Sequence, residues 1–241
     1  MILRRIAEDL KKQHWTAIAI DFVIVILGVF IGLQVNNWNE ARNERRNERT
    51  YLQRLLVDFD SNVHILDQYV DGRRRDGKTL ADLAIALQTA GTPPTEAALQ
   101  GPLCRWGAAP LPPLREGTYD ELVSSGALNI LRDEKLRILL ADYSTAEERS
   151  AYVSTLLPAL QHAAEPLDGY RTWQVTSQSL ATVNGSVSCR FDIAGMRRDP
   201  RMPSVIAQLV RFQKLHEIYR TAELKSARAV ESRLGQLIGR Q

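Results

Sequence analysis

An all-α chain is expected, with one N-terminal transmembrane helix continuing into a long juxtamembrane helix that packs in an antiparallel helical bundle. Three observations predict it. Residues 15–35 are apolar around the whole helix circumference, apart from Asp21 and Gln34. Residues 52–70 repeat apolar side chains at spacings of four and three. A second long helical pattern closes the chain from Ser204 onward. The 241 residues suit one domain of about 200 residues behind an anchor. Such a domain buries a core without metals or staples. The organisation read from the sequence is a basic arm at 1–14, a transmembrane helix at 15–35, a juxtamembrane helical segment at 36–90, a Pro/Gly-rich loop at 91–117, and the rest of the bundle at 118–241.

The anchor comes first. A run of about 21 residues rises about 31 Å as a helix, close to the hydrocarbon thickness of a bilayer. Trp15 and Trp38 stand at its two ends, where indole rings favour the membrane interfaces. The run exceeds the apolar core of a signal peptide and leads into no small-residue cleavage site, so an uncleaved signal anchor fits. Arg4, Arg5, Lys11 and Lys12 on one flank are balanced by Arg42, Arg45, Arg46, Arg49 and Arg54 on the other. The positive-inside count therefore leaves the orientation open. The short N-terminal tail favours a cytoplasmic N-terminus and a periplasmic domain.

One face of the span stands out. Asp21, Gly28, Gly32 and Asn39 fall within about 20° of one line along a helix. Gly28 and Gly32 form a G-x-x-x-G pair that permits close helix approach. A carboxyl inside a bilayer is costly unless paired, protonated or hydrated. Two readings stand: a seam for self-association or for another membrane protein, or glycines of ordinary frequency with Asp21 reaching for the interface.

From 39 to 53 the chain is polar and free of glycine and proline, so the helix continues. Leu52, Leu56, Phe59, Val63, Leu66 and Val70 then give a stripe. It serves either an intramolecular bundle or a short coiled coil between copies. Arg73-Arg74-Arg75-Asp76-Gly77 suggests an irregularity. In the loop at 91–117, residues 96–100 suit a helical turn. Cys104 and Trp106 are candidates for a ligand or partner contact, or the segment is a covering loop that Trp106 pins against the bundle. Thr118 with Glu121 reads as a capping box, and Gly126 as the stop of that short helix. Asp133 caps the next segment, Thr145 with Glu148 reads as another capping box, a strand pair is considered near 186–191, and Ser204 caps the final helix. That helix carries Ile206, Leu209, Phe212, Leu215, Tyr219, Ala222, Val230, Leu234 and Leu237.

Cys104 and Cys189 read in two ways: as a disulfide if the domain lies outside the cytoplasm, or as two unrelated buried residues. His14, His64, His162 and His216 are scattered, with no metal-type spacing, and each is expected to be structural or exposed. Basic and acidic residues interleave and the net charge is only +3, which argues against nucleic acid as a partner. There is no G-x-S-x-G, P-loop, H-E-x-x-H, C-x-x-C or dinucleotide fingerprint. No enzyme activity and no cofactor are therefore expected. Asp58 and Asp60 point to different helix faces and form no dyad.

Residues 27–40, LGVFIGLQVNNWNE, and 118–143, TYDELVSSGALNILRDEKLRILLADY, together resemble an uncharacterised family of bacterial single-span membrane proteins. Its members carry an LQ-x-NNWNE-like motif after the span and a T-[FY]-x-E-L-x-x-S-G-x-L segment later. Asp21 stands where such relatives usually carry glutamate. The resemblance implies an inner-membrane protein with a helical domain and brings no activity. The expected function is a membrane-anchored, non-enzymatic sensor, scaffold or partner-binding protein. Its expected partners are membrane lipid and a second copy or another membrane protein. The alternative is an ion-coupled subunit using Asp21, by analogy with the single-span subunits of proton-driven motors.

Overall fold

The computed structural model describes residues 15–104, 111–174 and 188–239. The arm at 1–14 and Trp106 lie outside the described residues, as do the side chains of Trp15 and Asp21. The chain divides into two compact units, 1–51 and 52–241, and helix α1 (Trp15–Thr89) supplies residues to both.

The first unit is helical wherever it is described. Every large apolar side chain from Phe22 to Val35 is exposed, Phe22 at 66% and Phe30 at 57%. A helix apolar on all faces finds no cover of its own here. It is long and apolar enough to cross a membrane. Trp38 follows, 66% exposed, with the Arg42 guanidinium 5.7 Å from its ring centroid.

The second unit is a helical bundle. After α1 come α2 (Glu96–Leu99), a wide π-type turn (Gln100–Cys104) and α3 (Gly117–Ser124). Then follow α4 (Glu134–Ser154) and α5 (Leu157–Ala164). A two-stranded antiparallel sheet pairs β1 (Arg171–Gln174) with β2 (Ser188–Phe191), and α6 (Ile193–Arg198) leads into α7 (Met202–Ile238). Cross-helix ion pairs set the directions. Arg228 meets Asp67 at 2.7 Å and Arg74 meets Glu217 at 3.2 Å, so numbers on α1 rise as those on α7 fall. On α4, Asp133 pairs with Arg233 at one end, and Ser150 lies beside Glu223 further along. Both α1 and α4 therefore run antiparallel to α7.

The stripe on α1 is intramolecular. Leu52, Leu55, Phe59, Asn62, Leu66 and Val70 are buried, at spacings of 3, 4, 3, 4 and 4. Leu55 and Asn62 take the places expected for Leu56 and Val63, which are half-buried at the edge of the same face, because both alternatives keep the heptad spacing and the packing partners choose between them. The helix shows no break at Arg73–Gly77. Arg73 pairs there with Asp76 at 3.4 Å, and Gly77 lies against Gln213 of α7. Ala90, with φ of 53°, ends the helix, and Arg197 of α6 donates to the freed carbonyls of Ala86 and Gly91.

Three expected helix starts differ from the structure. The Thr118 hydroxyl donates to Asp58 Oδ2 at 2.5 Å instead of capping α3, which starts at Gly117. Thr145 sits inside α4, bonded to the Ala141 carbonyl, so no helix opens there. Ser204 lies in the first turn of α7, which starts two residues earlier. Asp133 does cap α4, accepting from Leu136 N at 2.7 Å, and Gly126, at φ of 68°, follows α3. Residues 91–104 are not merely a covering loop. Leu99, Leu103 and Cys104 are buried in a core with Leu80, Leu83, Met196, Met202 and Ile206. One wide turn carries Gly101 and Pro102, too short to need a continued hydrogen-bond ladder.

Candidate functional site

The buried face of α7 changes character along its length. From Met202 to Phe212 it is apolar, through Val205, Ile206 and Leu209. Gln213, His216, Arg220 and Glu223 follow, all buried. From Leu224 it is apolar again, through Ala227, Val230 and Leu234. The expected residues Leu215 and Tyr219 are only half-buried and Ala222 is exposed, so the helix turns a polar face inward over this stretch.

The other elements match it. Helix α1 offers Tyr69 and Arg73 at this level, and α4 offers Tyr143, Glu147 and Ser150. Glu116, from the segment before α3, also acts on Tyr143, Glu147 and Glu223. A polar layer therefore crosses the bundle between two apolar blocks. One block holds the disulfide and Leu80, Leu83 and Leu209. The other holds Leu55, Phe59, Leu140 and Val230, with Phe59 edge-on to Tyr143 at a centroid distance of 4.8 Å.

Inside the layer, Arg220 Nη1 donates to Glu223 Oε2 at 2.7 Å, with side-chain exposures of 5% and 0%. The Tyr69 ring takes both guanidiniums, Arg73 at 5.2 Å and Arg220 at 5.7 Å from its centroid. Arg73 also donates to Gln213 Oε1 at 3.4 Å. His216 stacks edge-on against Phe212 at 4.4 Å. Arg73 Nε, Tyr143 Oη, Ser150 Oγ, His216 Nε2, Arg220 Nε and Glu223 Oε1 complete no hydrogen bond among the described residues. Buried polar atoms are ordinarily paired, so this concentration marks the layer as costly to the fold.

The electrostatics follow from burial. Desolvation pushes Glu223 above the usual carboxylate range, against the pull of Arg220. Glu116 and Glu147 move the same way, chiefly by desolvation and then by neighbouring carboxylates. Burial, with Arg220 and Arg73 nearby, holds His216 down to about 4. The Tyr143 phenol is pushed well up by burial and by Glu223.

Beside this layer a groove of about 700 Å³ runs between α1 and the segment before α3, lined by Arg54, Val57, Asp58, Arg115, Glu116 and Thr118. Asn62 holds that segment in place. Its amide donates to the Arg115 carbonyl at 2.8 Å and accepts from Arg115 N at 2.7 Å.

The residues singled out from the sequence lie elsewhere. Gly28 and Gly32 are on α1 in the first unit, and a methyl group added to either would meet nothing within 4 Å. Asn39 is exposed and joins Asn36, Asn43 and Asn47 along one polar face. Cys104 and Cys189 form a disulfide, with Cα atoms 5.5 Å apart, that ties the wide turn to β2. Gln100 reinforces the tie, donating to the Cys189 carbonyl and accepting from its amide. Among the described residues no group of three or more His, Cys, Asp or Glu could hold a metal ion. Sequence reasoning misses the polar layer. Its signal is the 3-4-3 spacing of Gln213, His216, Arg220 and Glu223, in phase with the apolar residues on either side.

A family model described as a family of unknown function (DUF6090) matches residues 21–100, and the chain is similar to that family from Asp21 through α1 and α2. This fits the resemblance to an uncharacterised family. No curated protein and no solved structure matches the chain.

Proposed function

We propose that the chain is a membrane-anchored, non-enzymatic sensor, scaffold or partner-binding protein. In this reading residues 15–35 hold it in the bacterial inner membrane and the bundle lies on the periplasmic side. The observation that carries it is the uncovered apolar helix. From Phe22 to Val35 every large side chain is exposed, and exposing that much hydrocarbon to water costs about 25 cal/mol per Å². A bilayer removes the cost. The disulfide in the second unit supports an oxidising compartment for the bundle. The open Gly28–Gly32 face supports self-association within the membrane.

The test is a cysteine placed on the exposed surface of α7, Ser232→Cys, probed in intact cells with a membrane-impermeant thiol reagent. Labelling before lysis is the expected result. Labelling only after lysis would put the bundle in the cytoplasm and overturn the orientation. Release of the chain by an alkaline membrane wash would overturn the anchoring itself.

A further inference from the structure

The polar layer belongs to the bundle alone, and its charges are independent of the membrane reading. Glu223 is fully buried, and one of its oxygens is bonded, to Arg220. Glu116 and Glu147 are half-buried and act on it and on each other. Arg220 is the guanidinium that faces all three carboxyls. Arg73 of α1 is already engaged by Asp76 and Gln213. The other polar neighbours are Tyr69 of α1, Tyr143 and Ser150 of α4, and His216 of α7. Asp120 of α3 and Glu148 of α4 add further negative charge at the rim. Fully ionised, three carboxylates around one guanidinium leave surplus negative charge where water screens poorly.

We propose that this layer is a proton-responsive joint. Protons held by Glu223 and its neighbours Glu116 and Glu147 seat α7 on α1 and α4. Their loss toward alkaline pH loosens α7 over residues 213–224, while the apolar blocks on either side stay packed. The sign follows from linkage. Desolvation raises these carboxyls above their unfolded values. Their contribution is therefore complete below the ordinary glutamate range and drains as pH rises through the raised values.

The experiment is amide hydrogen exchange over residues 213–224 of the full-length protein in detergent micelles, from pH 5 to pH 8, compared at each pH with Glu223→Gln. Glutamine mimics the protonated acid, and His216 is present in both chains and cancels. The difference between the two chains should be smallest at pH 5 and grow as pH rises through the raised value. At pH 8 the wild-type segment should open about tenfold more often than the variant for each pKa unit by which folding raises Glu223. A ratio of opening constants that does not change with pH would overturn the proposal. So would a variant that fails to fold at pH 5, where it should be at least as stable as the wild type. Infrared spectra of the wild type give a second readout. A protonated carboxyl band should persist above pH 5 and titrate at lower pH in Glu147→Gln, and a wild type without that band sinks the idea.

Discussion

Asn62 shows how a single polar residue holds a core position. It occupies an apolar register on α1 because both halves of its amide are used by the Arg115 backbone. Asn62→Ala removes both bonds and strands a part-buried carbonyl and amide. Leaving such groups unpaired costs about 1–3 kcal/mol each. A loss of about 2–4 kcal/mol in urea unfolding is expected, and a change below about 0.5 kcal/mol would show that water replaces the side chain freely. His216 offers a residue-scale prediction with a pH sign. Its imidazole is 8% exposed and held down to about 4. The unfolded chain takes up the proton near the ordinary value, so the folded state binds fewer protons between about 4 and 6.5. Stability therefore falls as pH drops through that window, by at most about 3 kcal/mol. His216→Phe should remove this loss relative to wild type; parallel pH profiles for the two chains would refute it.

Whole elements are legible in the sequence where their signal is local, and less so where it is not. Helix α1 and the presence of an apolar stripe on it follow from spacing, and α4 from the Asp133 cap, because each depends on neighbours three or four residues away; that the stripe packs within the chain does not, because bundle and coiled coil share one spacing. The boundaries at Thr118, Thr145 and Ser204 differ from expectation because identical side-chain chemistry serves a cap or another partner. For Thr118 that partner is Asp58, 60 residues back. Of the strand pair expected near 186–191, β2 lies at 188–191 but β1 lies at 171–174, since pairing across a connection carries no local mark. The polar layer stays hidden because apolar counting treats Gln213, His216, Arg220 and Glu223 as interruptions of a stripe they continue. The disulfide tests how elements hold together. It closes a separation of 85 residues, which in the chain-entropy model stabilises by about 4–5 kcal/mol. Cys104→Ala with Cys189→Ala should lower urea-unfolding stability by about that amount. The loss should centre on the block containing Leu99, Leu103 and Phe191, read as faster amide exchange there. Uniform acceleration across all helices would mean that the bridge constrains the whole bundle instead.

At the scale of the whole molecule, the proposed membrane reading makes the helix face of Gly28 and Gly32 the candidate contact between copies. In that reading one span inserted in one direction would make any two copies parallel, with the same face of each available to the other. Beyond its own helix backbone, a methyl group added at either glycine would meet nothing within 4 Å among the described residues, so no contact within the described residues requires a glycine there. Close backbone approach between copies would explain the glycines, since lipid tails give helices no hydrophobic reason to associate and packing has to supply it. Beyond the apolar run the face carries Asn36, Asn39, Asn43 and Asn47, whose carboxamides both donate and accept, together with Glu40 and Glu44, whose like charges oppose a second copy, so the glycines are where the contact is tested. Gly28→Ile with Gly32→Ile adds bulk where the two backbones would touch while keeping the span apolar. Energy transfer between labelled copies in lipid vesicles, followed against protein-to-lipid ratio, should show association weakened at least tenfold, about 1.4 kcal/mol. Ser232→Cys labelling, which reads insertion, should be unchanged. Equal association in the glycine variant would move self-association off this face and leave the span as an anchor for one chain.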